Sequence, residues 1–239
     1  MSEVTIYCLC EGYSEQNFIQ RMVSPALSRR GITVIAPMVK TRRDRKVGRV
    51  YKGGGDTFHH YKSDLRRLYS EHGQRANVYF TTLIDLYALP TDFPGYTEAY
   101  QKGSCYQKVA ALEDSLHQIM EEEGIPRDRF IPHFELHEFE TLLLVEPEAL
   151  TTLFLGKDTA VQQLAESIAR FENVEEINHT PEGAPSKRIE AVLPVYKKYK
   201  GSQTNGAINV AEVIGLDTIR QKCQHLNAWL ERLEALSVE

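Results

Sequence analysis

The chain contains no apolar run near the roughly 18 residues that a membrane helix requires. Its first residues, MSEVTIYCLCEG, lack the basic start, long apolar stretch and small-residue cleavage site of a secretory leader. The expectation is therefore a cytoplasmic protein with no membrane partner. Cysteine is scarce, with four in 239 residues, and no pair has CxxC or zinc-ligand spacing. Cys8 and Cys10 stand two apart on what reads as a strand, so all four read as reduced packing thiols. There is no GxxxxGK[ST] loop, no GxGxxG turn and no GxSxG elbow, which argues against intrinsic ATP hydrolysis, nicotinamide chemistry and a serine nucleophile of that type. Net positive charge is also missing. At −5, the chain as a whole is not built to bind nucleic acid non-specifically.

What is present is the composition of a globular protein, 42% hydrophobic and 26% charged. Apolar, β-rich runs at 4–10, 32–38, 77–85 and 130–136 alternate with helical patterns at 14–31, 56–72 and 104–123. The stripe expected on the last of these helices is Val109, Leu112, Leu116 and Ile119. Pro132 places the fourth run at a sheet edge. Such alternation predicts a mainly parallel α/β sheet with helices on both faces. Beyond Glu146 the texture becomes helical and polar by turns, ending in an amphipathic helix over 217–236 with Trp229 at its margin. The expected organisation is an α/β domain over 1–146 and a helical C-terminal lobe over 147–239.

In parallel α/β sheets, ligands bind at the carboxyl ends of the strands. The first run ends at Glu11, the third at Asp85, and the fourth leads into Glu138 and Glu140. Two or three converging carboxylates supply the hard oxygen ligands that Mg²⁺ prefers and leave room for a phosphate. Each position also has a plainer reading. Asp85 would serve as a loop cap, and Glu11 as the ordinary acidic residue of a strand-to-helix turn. His137-Glu138 begins like the HExxH zinc motif, but Thr141 stands where its second histidine belongs. Glu138 and Glu140, two apart, cannot share a helix face. Asp92, between two prolines, reads as a turn cap, and Tyr87, Phe93 and Tyr96 as packing for that loop, with stacking on bases as the alternative.

Basic residues cluster in one place. Seven of them, Lys40, Arg42, Arg43, Arg45, Lys46, Arg49 and Lys52, face only Asp44 in a stretch read as a loop leading into Gly53-Gly54-Gly55. Such a run is either a solvated loop or a segment that folds over a polyanion. A second group, Lys187, Arg188, Lys197, Lys198 and Lys200, is adequately explained by solvated helix ends.

The strand ending in Glu-Gly, the SEQNF that follows, LIDLY, LPTDFPGY, FELHEFETLLL, and the later SKRIEAVLPVYKKYKG and IGLDTIRQKCQHLNAWLERL together resemble the family known as domain of unknown function 4276. That family in turn resembles the TOPRIM fold of topoisomerases, DnaG-type primases and OLD-type nucleases. The resemblance implies a divalent metal, Mg²⁺ or Mn²⁺, held by Glu11 and by Asp85 as the first aspartate of an Asp-x-Asp motif. Tyr87 stands at the second aspartate, and Glu138 or Glu140 would take its place. The expected activity is a metal-dependent phosphodiesterase on DNA or RNA, with one glutamate as general base and the 40–52 segment holding the strand. An ABC-type or AAA ATPase is the implied partner, in bacterial defence against phage. The alternatives are a catalytically inactive TOPRIM-like subunit that binds nucleic acid or regulates such an ATPase, and a pure protein scaffold.

Overall fold

The computed structural model describes residues 3–44, 49–52, 57–87, 89–177, 183–199 and 206–237, with 41–44 and 49–52 as backbone. Two compact units divide the chain, one of residues 1–134 with 229–239 and one of 135–228. Among the described residues no helix is long and apolar enough to cross a membrane.

The first unit begins with β1 (Val4–Cys10), whose apolar sequence VTIYCLC is buried almost throughout. Next come α1 (Tyr13–Phe18) and α2 (Ser24–Ser28), joined by a five-residue π-helical segment, Ile19–Val23. Pro25 has no amide to close an α turn on the carbonyl of Arg21, and the helix widens there. There follow β2 (Ile32–Ile35), β3 (Lys40–Asp44), β4 (Arg49–Lys52), α3 (Phe58–His72), β5 (Val78–Asp85), α4 (Tyr96–Tyr100), α5 (Cys105–Glu122), β6 (Phe130–Ile131) and β7 (Phe134–Glu135).

The main sheet runs β2-β1-β5-β6, with β7 also paired to β5. Its pairings β1–β2, β1–β5 and β5–β6 are all parallel. This is the α/β architecture expected from the alternation of elements. Strands covered on both faces are mostly apolar, and β1 and β5 are so apart from Thr5, Thr81, Thr82 and the terminal Asp85. Leu65 and Leu68 of α3 are buried with them, as are Val109, Leu112, Leu116 and Met120 of α5. Met120 takes the place expected of Ile119, because the stripe steps by four residues after Leu112.

The fourth apolar run is broken rather than continuous, and β6 is indeed an edge strand. Pro132 interrupts it, and side chains take over from the lost ladder. The Thr82 hydroxyl accepts from His133 N–H and donates to His133 O, each at 2.9 Å. Thr81 donates to Ile131 O at 2.5 Å and accepts from Trp229 Nε1 at 2.8 Å. Trp229 also stacks on His133 at 4.4 Å, so it is a buried tie and not the margin of a helix.

The second unit is built of short 3₁₀ turns, Phe139–Leu144 and Pro147–Thr152, and helices α6 (Asp158–Ile168), α7 (Pro185–Val192), α8 (Gly206–Ile214), α9 (Leu216–Lys222) and the start of α10 (Gln224–Glu234). The single final helix expected over 217–236 is two helices, broken at Cys223, which is extended (φ −110°, ψ 91°). The break has a cause. The Glu175 carboxylate accepts from His225 N–H and Leu226 N–H at 3.1–3.3 Å and so caps a new helix start.

Gly95, before α4, has φ +72°, and a Cβ there would meet the Ser115 hydroxyl and lie 2.8 Å from Ser115 Cβ. Gly95→Ala therefore meets both left-handed backbone strain and a clash with α5. A loss of about 2–3 kcal/mol is expected in urea unfolding, with the fold otherwise retained.

Candidate functional site

The parallel register of β1 and β5 sets the site. Cys10 pairs with Leu83, and Glu11 N–H continues the ladder to Leu83 O at 3.1 Å. The two chains then leave the sheet in opposite senses, β1 toward β2 on one side and β5 toward β6 on the other. In parallel sheets, ligands bind at the carboxyl ends where neighbouring strands part like this. Glu11 and Asp85 meet there, with Asp85 N–H donating to Glu11 Oε2 at 3.1 Å.

Glu15 completes the turn. Its carboxylate accepts from Gly12 N–H at 2.7 Å, reaching back from the third residue of α1 as in a capping box. Burial raises Glu15 above the ordinary carboxylate value, opposed by its own and Gly12's backbone N–H. Burial, then the neighbouring Glu15 charge, pushes Glu11 up to about 8, although Asp85 N–H and the Tyr61 hydroxyl both donate to it. Two buried carboxylates side by side are costly when both ionise. Sequence reading had not singled out Glu15 or Tyr61. The Gly-x-x-Glu spacing of Gly12 and Glu15 was the signal for the first, whereas Tyr61 read only as one residue of an apolar helix face.

The basic segment is anchored at the same sheet edge. Cys10 N–H donates to Pro37 O at 2.8 Å and Val39 N–H to Cys10 O at 2.9 Å. One residue further on, the chain enters β3, which pairs antiparallel with β4 in the register Lys40↔Lys52, Arg42↔Tyr51, Arg43↔Val50 and Asp44↔Arg49. The expected loop is thus a two-stranded ribbon. Strand propensity concealed it, since Arg and Lys carry no strand signature and only Thr41, Val50 and Tyr51 do. Arg45, Lys46 and the three glycines lie outside the described residues. Asp64 of α3 holds the ribbon's base, accepting Lys40 N–H at 2.8 Å while Arg67 pairs with its other oxygen at 3.1 Å.

The remaining candidates have defined partners. In the second unit, Ser186 N–H, at the start of α7, donates to Glu138 Oε1 at 2.6 Å. The Tyr196 hydroxyl donates to Glu140 Oε1 at 3.0 Å, and its pKa is raised by burial and then by Glu140. His137, at φ 69°, shares a hydrogen bond of 2.9 Å between Nε2 and Glu175 O. Arg188 donates to Gly183 O and Ile177 O at 2.7 and 3.2 Å, which accounts for one member of the second basic group. In the first unit, Asp92 is a cap, though of α3 across a long sequence separation, accepting Phe58 N–H at 2.9 Å. Phe93 packs, with ring centroids 4.9–5.4 Å from Phe58, Tyr61 and Phe134.

Glu11, Glu15 and Asp85 offer carboxylate oxygens at the strand ends, the chemistry that suits Mg²⁺ or Mn²⁺. The donor oxygens of Glu11, Glu15 and Asp85 do not all close to within 4.8 Å of one another. At most two of these carboxylates would therefore bind one ion directly without a shift, and waters would complete its shell. The titration of Glu11 has a direct consequence. Its folded-state value of about 8 exceeds the ordinary 4.5, so the fold favours the protonated form. This contribution is intact below about pH 4.5 and is lost as pH rises through about 8. In chelator, the wild-type melting temperature should fall between about pH 5 and pH 8.5 relative to Glu11→Gln, by roughly 5 °C. Parallel melting curves for the two proteins would refute a raised Glu11.

No curated protein and no solved structure matches the chain significantly. The family model described as Domain of unknown function (DUF4276) matches residues 10–234, a span that takes in Glu11, Asp85, the ribbon and the whole of the second unit, and the chain belongs to that family.

Proposed function

We propose that the protein is a divalent-metal-dependent phosphodiesterase acting on nucleic acid, DNA or RNA. The observation that carries this reading is the adjacency of Glu11 and Asp85 at the strand ends, where the Asp85 backbone N–H donates to the Glu11 carboxylate. A Mg²⁺ or Mn²⁺ ion bound there would polarise a phosphodiester and acidify an attacking water. Glu11 and Asp85 would be its ligands. Glu15 fixes the Gly12 turn and adds negative charge behind Glu11. Tyr61 orients the Glu11 carboxylate. Glu138 and Glu140 enter as supports of the second unit, since each accepts a hydrogen bond inside it. An acid after the first strand and another after the central strand is also what the TOPRIM resemblance implies. On that basis the proposal extends to a subunit working beside an ABC-type or AAA ATPase in phage defence.

A second reading, an inactive TOPRIM-like subunit kept for binding nucleic acid or regulating such an ATPase, has its own support. Tyr87 replaces the second aspartate of the motif, and the three carboxylates do not close on a single point.

Melting in chelator and in about 1 mM Mn²⁺ separates the two readings. The wild type should rise by roughly 5 °C with metal, and the Glu11→Gln/Asp85→Asn double variant should not. Cleavage of labelled DNA or RNA should fall at least about 100-fold in the same variant, beyond the loss typical of a mere supporting residue. Neither a metal-dependent rise nor any cleavage would leave the binding subunit.

A further inference from the structure

The β3–β4 ribbon is the feature whose form says most about the substrate. Segment 40–52 carries seven basic residues and one acidic in a chain of net charge −5, so the rest of the molecule is more acidic still. A polyanion is repelled by most of this protein and attracted at one place. Five of these residues, Lys40, Arg42, Arg43, Arg49 and Lys52, lie on a backbone paired as two antiparallel strands. The ribbon is fixed at its base on two sides. The sheet holds it through Cys10, the residue before Glu11. Helix α3 holds it through Asp64, three residues and about one helical turn from Tyr61, whose hydroxyl reaches Glu11. A single helix thus ties the base of the ribbon to the acidic site.

We infer that this ribbon binds B-form duplex DNA by lying in its major groove, so that a backbone phosphate comes to the strand ends where Glu11 and Asp85 meet. The major groove, about 12 Å wide, admits a two-stranded ribbon whose strands lie about 4.8 Å apart. The major groove of A-form RNA is too deep and narrow for such an element. Single strands are held by bases stacking on exposed aromatic rings. The ribbon carries a single aromatic residue, Tyr51, and among the described side chains around the site Tyr61 and Phe93 are buried, at 0% and 3% exposure. Tyr100, exposed at 41%, is already stacked on Tyr96 at 4.2 Å. The inference rests on the phosphodiesterase reading only for the fate of the phosphate. Recognition of the duplex itself requires no metal.

The test uses the full chain in chelator, where no cleavage can intervene, and three fluorescent probes of about 20 nucleotides or base pairs: duplex DNA, one of its single strands, and duplex RNA of the same sequence. Duplex DNA should bind at least about tenfold more tightly than either other probe at equal salt. Arg42→Ala/Arg43→Ala/Arg49→Ala should weaken duplex binding by about tenfold or more and lower the salt slope by roughly 2.7, the value for three lost phosphate contacts. Its melting temperature, and the Mn²⁺-dependent rise of that temperature, should match wild type. Equal or tighter binding of single strands or duplex RNA, or an unaltered affinity in the triple variant, would overturn the inference. Loss of the Mn²⁺ response in Glu11→Gln/Asp85→Asn bears on the metal reading alone, so failure of one is distinguishable from failure of the other.

Discussion

The parallel ladder between β1 and β5 is the constraint from which the first unit follows. It runs unbroken from Thr5↔Val78 to Cys10↔Leu83. Both strands are covered on both faces, so an ionised side chain anywhere along them would lose its water without gaining a partner. Carboxylates become tolerable only where the ladder ends. The parallel direction then brings the two ends to the same edge, and the fixed register sets Glu11 and Asp85 one hydrogen bond apart. An antiparallel pairing of the same two strands would have put these residues at opposite edges. The acidic site is in this sense a product of strand direction before it is a product of residue choice.

Helix α3 converts that edge into a larger assembly. Its apolar residues Leu65 and Leu68 pack into the core, while Tyr61 and Asp64 on its buried side carry hydrogen bonds away from the core. Tyr61 turns to Glu11, and Asp64 turns to the base of the ribbon. The start of the helix is fixed by Asp92, from the loop that follows β5. The ribbon base, the acidic turn and the loop beyond Asp85 are therefore all indexed to one rigid element. Movement of α3 would disturb all three together.

How much of this was legible in the sequence depended on which physical signal each element leaves. The central strands were readable because full burial demands an apolar run with abrupt polar ends, and that pattern located Glu11 and Asp85 as well as the strands. The ribbon was not readable. Its pairing is a backbone matter between Arg- and Lys-rich segments, and such residues mark solvent exposure rather than strand. The break of the last helix at Cys223 was hidden for a different reason. The apolar face of Ile219, Cys223 and Leu226 continues through it, and the cause, Glu175, lies some fifty residues away. Asp92 could be read as a cap, but not as a cap for a helix 34 residues earlier.

The same distinction bears on what a buried carboxylate is for. Glu175 faces two backbone N–H groups at the start of α10, Glu138 faces one at the start of α7, and Glu140 faces the Tyr196 hydroxyl. Each of these sits opposite a donor supplied by a helix or a side chain, which is how folds ordinarily satisfy a buried polar group. Glu11 also has two donors, Asp85 N–H and Tyr61, yet its proton affinity still rises to about 8. The difference lies in the environment beyond the hydrogen bonds, because burial is compounded by a second carboxylate, Glu15, in the same turn. Hydrogen bonding alone does not balance charge there. A proton relieves the excess up to about pH 8. The species that would relieve it without neutralising the carboxylate is a hard cation, which competes with that proton and gains most where like charges have already been forced together. On that reasoning a divalent ion would relieve the charge that the fold forces together at the strand ends of the first unit.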